Sequence, residues 1–215
     1  MSLVLFGHPF SSYTWKALIA LYEAGAPFEF RNIAGDKYPE NEAAFLAHWP
    51  VGKFPLLVDE GEPIMESSVI VEHVAPALVP NGGQVAREVR MLDRIFDNHV
   101  MSPVQAIVAE HLPFITPTPD EGRIARAKAA LDKAYPWLDS RLAGREWAAG
   151  DSFTLADCAG APSLFYADWV HPIPDQLATL KDYRKRVLAR PSVARAVDEA
   201  RPYRHLFPLG APDRD

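Results

Sequence analysis

The sequence predicts an α/β domain followed by an all-helical domain, and three observations carry this. Over residues 1–78, short apolar runs and helical periodicity follow one another in the order βαβ, α, ββα. Val79-Pro80-Asn81-Gly82-Gly83 then makes the clearest break in the chain. Beyond it strand signals stop and long 3.6-residue patterns continue. The domains are placed at 1–78 and 85–215, with a linker at 79–84.

Leu3 to Phe6 reads as a short buried strand and Gly7 to Ser12 as a loop. Trp15, Leu18, Ile19 and Tyr22 recur at helical spacing, so Tyr13 to Glu23 is a helix ended by Gly25. Phe28 to Ile33 alternates as a strand, and the crossover makes the two strands parallel. Glu42 to His48 is a short helix. Phe54–Val58 and Glu62–Met65 are joined too tightly to be anything but an antiparallel hairpin. Glu66 to Leu78 is a helix with Val69, Ile70, His73, Val74 and Ala77 on one face. The second domain opens with a long helix, Arg87 to Glu110, bent near Pro103. Helices follow at Ile124 to Leu142, Thr154 to about Trp169, Leu177 to Ala189 and Ser192 to Ala200. The proline-containing tail is expected to pack loosely or fray.

Apolar residues make up 48% of the 215 and charged residues 23%, the balance of a globular chain. A net charge of −6 argues against a nucleic-acid partner. No apolar run approaches the roughly 20 residues of a membrane span. Met1 to Phe6 lacks a basic stretch and reaches Gly7-His8-Pro9 too soon for a signal peptide. The single cysteine, Cys158, excludes an internal disulfide and any CxxC motif, which favours a reducing cytoplasm. His8, His99, His111 and His171 show no metal-binding spacing, so no metal is expected.

Gly52-Lys53-Phe54-Pro55, the hairpin and Glu66-Ser67 together read as strand, turn, strand and helix start. Free N–H groups at a helix start suit an anion, so this stretch is a candidate cradle for a small anionic, peptide-like ligand. Read alone, Pro55 can simply lead a strand and Glu66-Ser67 can simply cap a helix.

With these residues in view, the chain resembles the cytosolic glutathione transferases, of the serine type and zeta- or theta-like. Ser11-Ser12-Tyr13-Thr14-Trp15-Lys16 resembles their active-site loop and first helix. Gly52-Lys53-Phe54-Pro55 resembles their cis-proline turn, and Glu66-Ser67 their acid-hydroxyl pair. Phe153-Thr154-Leu155-Ala156-Asp157 resembles the capping box of their central helix. The resemblance implies a thioredoxin-like first domain and a helical second domain. It also implies glutathione as co-substrate, an apolar electrophile as second substrate, and a homodimer in the cytoplasm.

On that resemblance Ser11 donates a hydrogen bond to the thiolate of glutathione, with Ser12 and Tyr13 as rivals and helix capping as the plain alternative. Lys53, Phe54, Pro55, Glu66 and Ser67 would hold the tripeptide. Phe10, Tyr13, His99, Phe114, Tyr166 and Trp169 are candidates for an apolar pocket between the domains, and their aromatic bias suits an apolar substrate. The loop Phe10-Ser11-Ser12-Tyr13 has no cysteine, which argues against cysteine-dependent thiol transfer and against a maleylacetoacetate-type isomerase. Phe6 also lacks the hydroxyl of a tyrosine-type donor. Alternative functions on the same scaffold are a specialised glutathione-dependent isomerase, dehalogenase or lyase, and a non-catalytic interaction module.

Overall fold

The computed structural model describes residues 3–215, apart from the side chain of Asp36; Met1 and Ser2 of the first domain lie outside it. The first half contains β1 (Leu3–Gly7), α1 (Ser12–Ala24), β2 (Phe28–Asn32), α2 (Pro39–His48), β3 (Leu56–Asp59), β4 (Glu62–Met65) and α3 (Ser67–Val74). The sheet order is β2-β1-β3-β4. β1 and β2 are parallel, as the crossover requires, and β3 pairs antiparallel with both β1 and β4.

Strand alternation gives the sheet two apolar faces. Leu5 and Leu57, directly paired, face α1 and α3 and meet Leu18, Leu21 and Ile70. Phe6, Leu56 and Val58 face the other way, onto Phe45 of α2. α1 ends at Gly25, whose φ of 62° suits glycine, and its N–H closes onto the carbonyls of Leu21 and Tyr22.

The second half is helical, and the thioredoxin-like-plus-helical class expected from the sequence is the fold observed. It contains α4 (Gly83–Ile95), a π-helical segment (Phe96–Met101), α5 (Ser102–Glu110), α6 (Glu121–Leu142), α7 (Leu155–Val170), α8 (Ala178–Leu188) and α9 (Pro191–Ala200). α4 begins inside the stretch read as linker. Where a bend was expected near Pro103, the long helix instead carries a π segment just before that proline, which sits in the first turn of α5. α7 is the central post, buried along almost its whole length, with Cys158 fully enclosed. Below it, the Asp157 carboxylate accepts from the Thr154 N–H at 2.9 Å, the Ala148 N–H at 2.8 Å and the Tyr183 hydroxyl at 2.8 Å. Trp15 of α1 packs on Phe165 of α7 at 4.9 Å, so the largest core cluster spans both halves.

Three expectations are corrected. The inward face of α3 carries Ser67, Ile70 and Val71, while Val69 is 51% exposed and His73 turns outward to Asp59. The helix also stops at Val74, before a 3-10 turn at Pro76–Leu78, because Pro76 cannot continue it. The tail does not fray. It forms a 3-10 turn (Arg201–Leu206), buries Phe207, and ties Arg201 and Arg204 to Asp215.

Candidate functional site

The loop from β1 to α1 is wound tightly. A side chain at Gly7 would meet that of Thr14 at 2.6 Å, so only glycine lets the strand end approach the helix so closely. The Phe10 N–H donates to His8 Nδ1 at 3.0 Å, and the Trp15 indole N–H donates to the Pro9 carbonyl at 2.8 Å. Burial holds His8 below its usual pKa, which agrees with a neutral ring accepting at Nδ1. Ser11 is the N-cap of α1, and its Oγ accepts from the Thr14 N–H at 3.3 Å. No acidic side chain lies in the first turn of α1, so the positive end of the helix is not neutralised there.

A polar cavity of about 460 Å³ opens beside this loop. Ser11, Lys53, Phe54, Pro55, Glu66 and Ser67 all line it, and so does Tyr13. The Phe54–Pro55 peptide bond is cis. Glu66 has φ 70°, a left-handed conformation that is uncommon outside glycine. Ser67 follows as the first residue of α3. Burial, then the charge of Asp97, pushes the Tyr13 hydroxyl up to about 12, so it remains protonated near neutral pH.

A second cavity, also about 460 Å³, is apolar and lies between the two halves. Phe10, Phe114 and Tyr166 line it, together with Met101, Val104 and Val108 from the long helix. Ser11, Phe54 and Gln105 line both cavities. The remaining aromatic candidates sit elsewhere. Tyr13 faces the polar cavity. His99 lines a separate cleft with Pro103 and Trp137. Trp169 lies one layer back, 7% exposed, against Phe10 and Phe207.

A larger cleft, about 660 Å³, lies against β2 and α9 and contains none of the residues at the Ser11 junction. Size alone would favour it. Ser11, Glu66, Lys53 and a helix start converge instead at the paired cavities, which are the candidate site.

Sequence reasoning confined glutathione binding to the first half and did not name Arg94, Asp97, Asn98 and Gln105 of the long helix, which also line the polar cavity. It also missed Leu206 and Phe207 of the tail, which wall the apolar cavity. A signal existed in Lys16: a lysine on the inward side of an apolar helix needs anionic partners. Lys16 is 1% exposed and lies 2.8 Å from Asp97 Oδ2 and 2.8 Å from Ser68 Oγ, and it contacts Asp93 Oδ1. That last contact is an ion pair without regular hydrogen-bond geometry. Arg94 closes the cluster at 2.9 Å from Asp97 and 2.6 Å from Asp93. Burial nevertheless raises the pKa of Asp97, against the pull of Lys16.

A four-stranded mixed sheet on a helical half, with polar and apolar cavities meeting at a capping serine, defines a two-domain transferase architecture. Residues 1–76 match the family model of the glutathione S-transferase N-terminal domain, and residues 101–191 match that of the C-terminal domain. The chain belongs to the glutathione S-transferase family, and it is a glutathione transferase with glutathione as co-substrate. It is 28% identical over 170 residues to glutathione S-transferase F6 of Arabidopsis thaliana, covering 75% of this chain and 82% of the relative. Its fold is similar to that of FzlA from C. crescentus, with TM-score 0.80 and 23% identity over 99% of this chain and 97% of that one. A glutathione S-transferase from Methylobacillus flagellatus with GSH bound has TM-score 0.77 and 24% identity, covering 90% of this chain and 98% of that chain.

Proposed function

We propose that this transferase holds glutathione in the polar cavity, with its thiol at Ser11, and directs the thiolate at an electrophilic carbon of an apolar molecule in the neighbouring cavity. The observation that carries the reading is that Ser11 walls both cavities. A free thiol has pKa about 8.5 and is only slightly ionised at neutral pH. Ser11 caps α1 with its oxygen, so its O–H stays free to donate, and capping and catalysis do not compete. One such bond to an anion is worth roughly 1.5–3 kcal/mol, or about one to two pKa units, and the unneutralised end of α1 adds to it. The thiolate sulfur forms the new C–S bond, and the leaving group departs with its bonding pair.

Lys53 and Arg94 suit the carboxylates of the tripeptide and Glu66 its ammonium; Ser67, at the start of α3, suits the γ-glutamyl carboxylate. The serine-type assignment rests on this loop. The plant relatives are phi-class, so nothing in the reading depends on a zeta- or theta-like subclass. A homodimer pairing through the α3–α4 face, where Val69 and Met91 are exposed, and a cytoplasmic location belong to the same reading. Among the described residues no helix is long and apolar enough to cross a membrane.

The test is retention on glutathione resin together with conjugation of 1-chloro-2,4-dinitrobenzene. Retention with turnover supports the reading. Retention without turnover on any aryl, alkyl or epoxide electrophile favours a specialised isomerase, dehalogenase or lyase. Neither retention nor turnover overturns it in favour of an interaction module.

A further inference from the structure

His8 is the only histidine among the described residues that lines either of the paired cavities, and it lines the apolar one alone. Two contacts hold its ring. The Phe10 N–H donates to Nδ1 at 3.0 Å, and the Phe54 ring stacks on it with centroids 6.2 Å apart and planes 25° apart. With Nδ1 accepting, the neutral imidazole carries its proton on Nε2, at the edge turned away from the loop backbone. No described residue accepts from that N–H, and the ring is only partly buried. The Ser11 N–H donates to the His8 carbonyl at 3.0 Å, so the imidazole and the Ser11 hydroxyl leave one tight turn. The other polar groups of the apolar cavity are spent or loose. The Tyr166 hydroxyl donates to the Phe10 carbonyl at 2.9 Å, and no side-chain hydrogen bond among the described residues holds Ser12 or Gln105.

We propose that the His8 Nε2–H is a further catalytic group: it donates to an oxygen of the second substrate as negative charge develops there during thiolate attack. The proposal rests on the reading that the electrophile occupies the apolar cavity. With an α,β-unsaturated ketone, the sulfur pair forms the C–S bond at the β-carbon. The C=C pair moves towards the carbonyl and leaves an enolate oxygen. The α-carbon then takes a proton from water, replacing the one the thiol released. A donor held in place before the reaction stabilises that charge without having to be ordered during it. With an alkyl halide the charge departs on the halide, and no oxygen needs the donor. The geometry therefore favours enones and nitroarenes over alkyl halides.

The probes are benzylideneacetone, benzyl chloride and 1,3,5-trinitrobenzene, each with glutathione and the full chain. Trinitrobenzene has no leaving group, so thiolate addition gives a coloured anionic adduct with its charge on the nitro oxygens, read by absorbance without turnover. His8→Asn keeps an acceptor at the Nδ1 position and lacks the Nε2–H; His8→Gln puts an amide N–H at the Nε2 position. His8→Asn should lower kcat/KM for benzylideneacetone at least about tenfold more than for benzyl chloride, the scale of one hydrogen bond to a charge. It should weaken the adduct by a similar factor, and His8→Gln should recover both. Equal losses on the two electrophiles, or an adduct as stable in His8→Asn as in wild type, overturns the proposal. If His8→Asn fails to fold, His8→Gln decides: a wild-type ratio of the two electrophiles supports the donor, and a tenfold shift towards benzyl chloride overturns it. Wild-type protein that forms no adduct and turns over neither electrophile overturns the placement of the electrophile and this proposal with it. An adduct formed equally by wild type and His8→Asn overturns this proposal alone.

Discussion

The Lys16 ammonium, on the first helix of the sheet domain, lies 2.8 Å from Asp97 Oδ2 on the long helix of the other domain. Both side chains are almost wholly enclosed. The pair thus couples the two halves at the wall of the polar cavity, where Asp97 and Arg94 are also lining residues. Removing Lys16 leaves Asp93 and Asp97 with the half-exposed Arg94 as counter-ion, so the cost falls below the about 3–5 kcal/mol of a fully orphaned buried charge. Lys16→Met is expected to lower the unfolding free energy read from urea titration by up to about 3 kcal/mol and to weaken glutathione binding.

Ser11→Ala should raise the pKa of bound thiol by about one to two units, moving the acid limb of the pH–rate profile upward. It should also cost about 1 kcal/mol of stability through loss of the cap on α1. Tyr13→Phe is the control. The raised pKa of Tyr13 keeps its hydroxyl protonated near neutrality, so towards a thiolate it can only donate, and with the thiolate held by Ser11 the acid limb should stay in place. An acid limb that moves in Tyr13→Phe and not in Ser11→Ala transfers the thiolate role to Tyr13.

Glu66 holds a left-handed backbone at the ligand wall. Such strain costs about 1–3 kcal/mol and is relieved by glycine. Glu66→Gly should therefore lose little stability, or gain about 1 kcal/mol, while its KM for glutathione rises. A thermal melt beside steady-state kinetics checks both halves of this expectation.

Phe207 packs on Trp169 at 5.1 Å and also walls the apolar cavity. Phe207→Ala should raise KM for an apolar electrophile and leave KM for glutathione unchanged. The tail should loosen, with a stability loss of about 3 kcal/mol.

Glu23 on α1 receives Arg190 at 2.7 Å and the Ser192 hydroxyl at 2.5 Å at the start of α9. The hydrogen bond from Arg190 is the main cause that holds its carboxyl below the usual range. A depressed carboxylate contributes stability above its unfolded pKa, about 4.3, and loses it as pH falls through the lower folded value. Glu23→Gln should thus cost about 1 kcal/mol at pH 7, and the gap from wild type should close towards pH 3. A gap independent of pH would show that packing, not the charge, is lost.

Strand alternation and helical spacing made most elements legible. Leu5, Phe6, Leu56 and Leu57 fall on the faces their alternation dictates. The candidate site was legible only where residues are close in sequence, as in Ser11 and the Lys53 to Ser67 stretch, which line one cavity. The long helix misled because its inward stripe includes Asp93 and Asp97, which apolar periodicity reads as facing solvent. Once they are counted, the stripe passes through Phe96, Asp97, Val100, Met101 and Val104, and His99 falls outside it. The π segment lies in that same stretch, and no residue type announces such a turn. Phe207 was hidden in a proline-containing tail, whose order depends on the aromatic contacts it makes.

Cys158 lies fully enclosed in α7, where burial pushes its thiol well above the usual range. It is also the chain's one cysteine. A transferase with glutathione as co-substrate thus has its own sulfur sealed away from mixed-disulfide formation. The same sealing makes Cys158 a built-in clock: its rate of modification by Ellman's reagent counts how often the central helix opens to solvent.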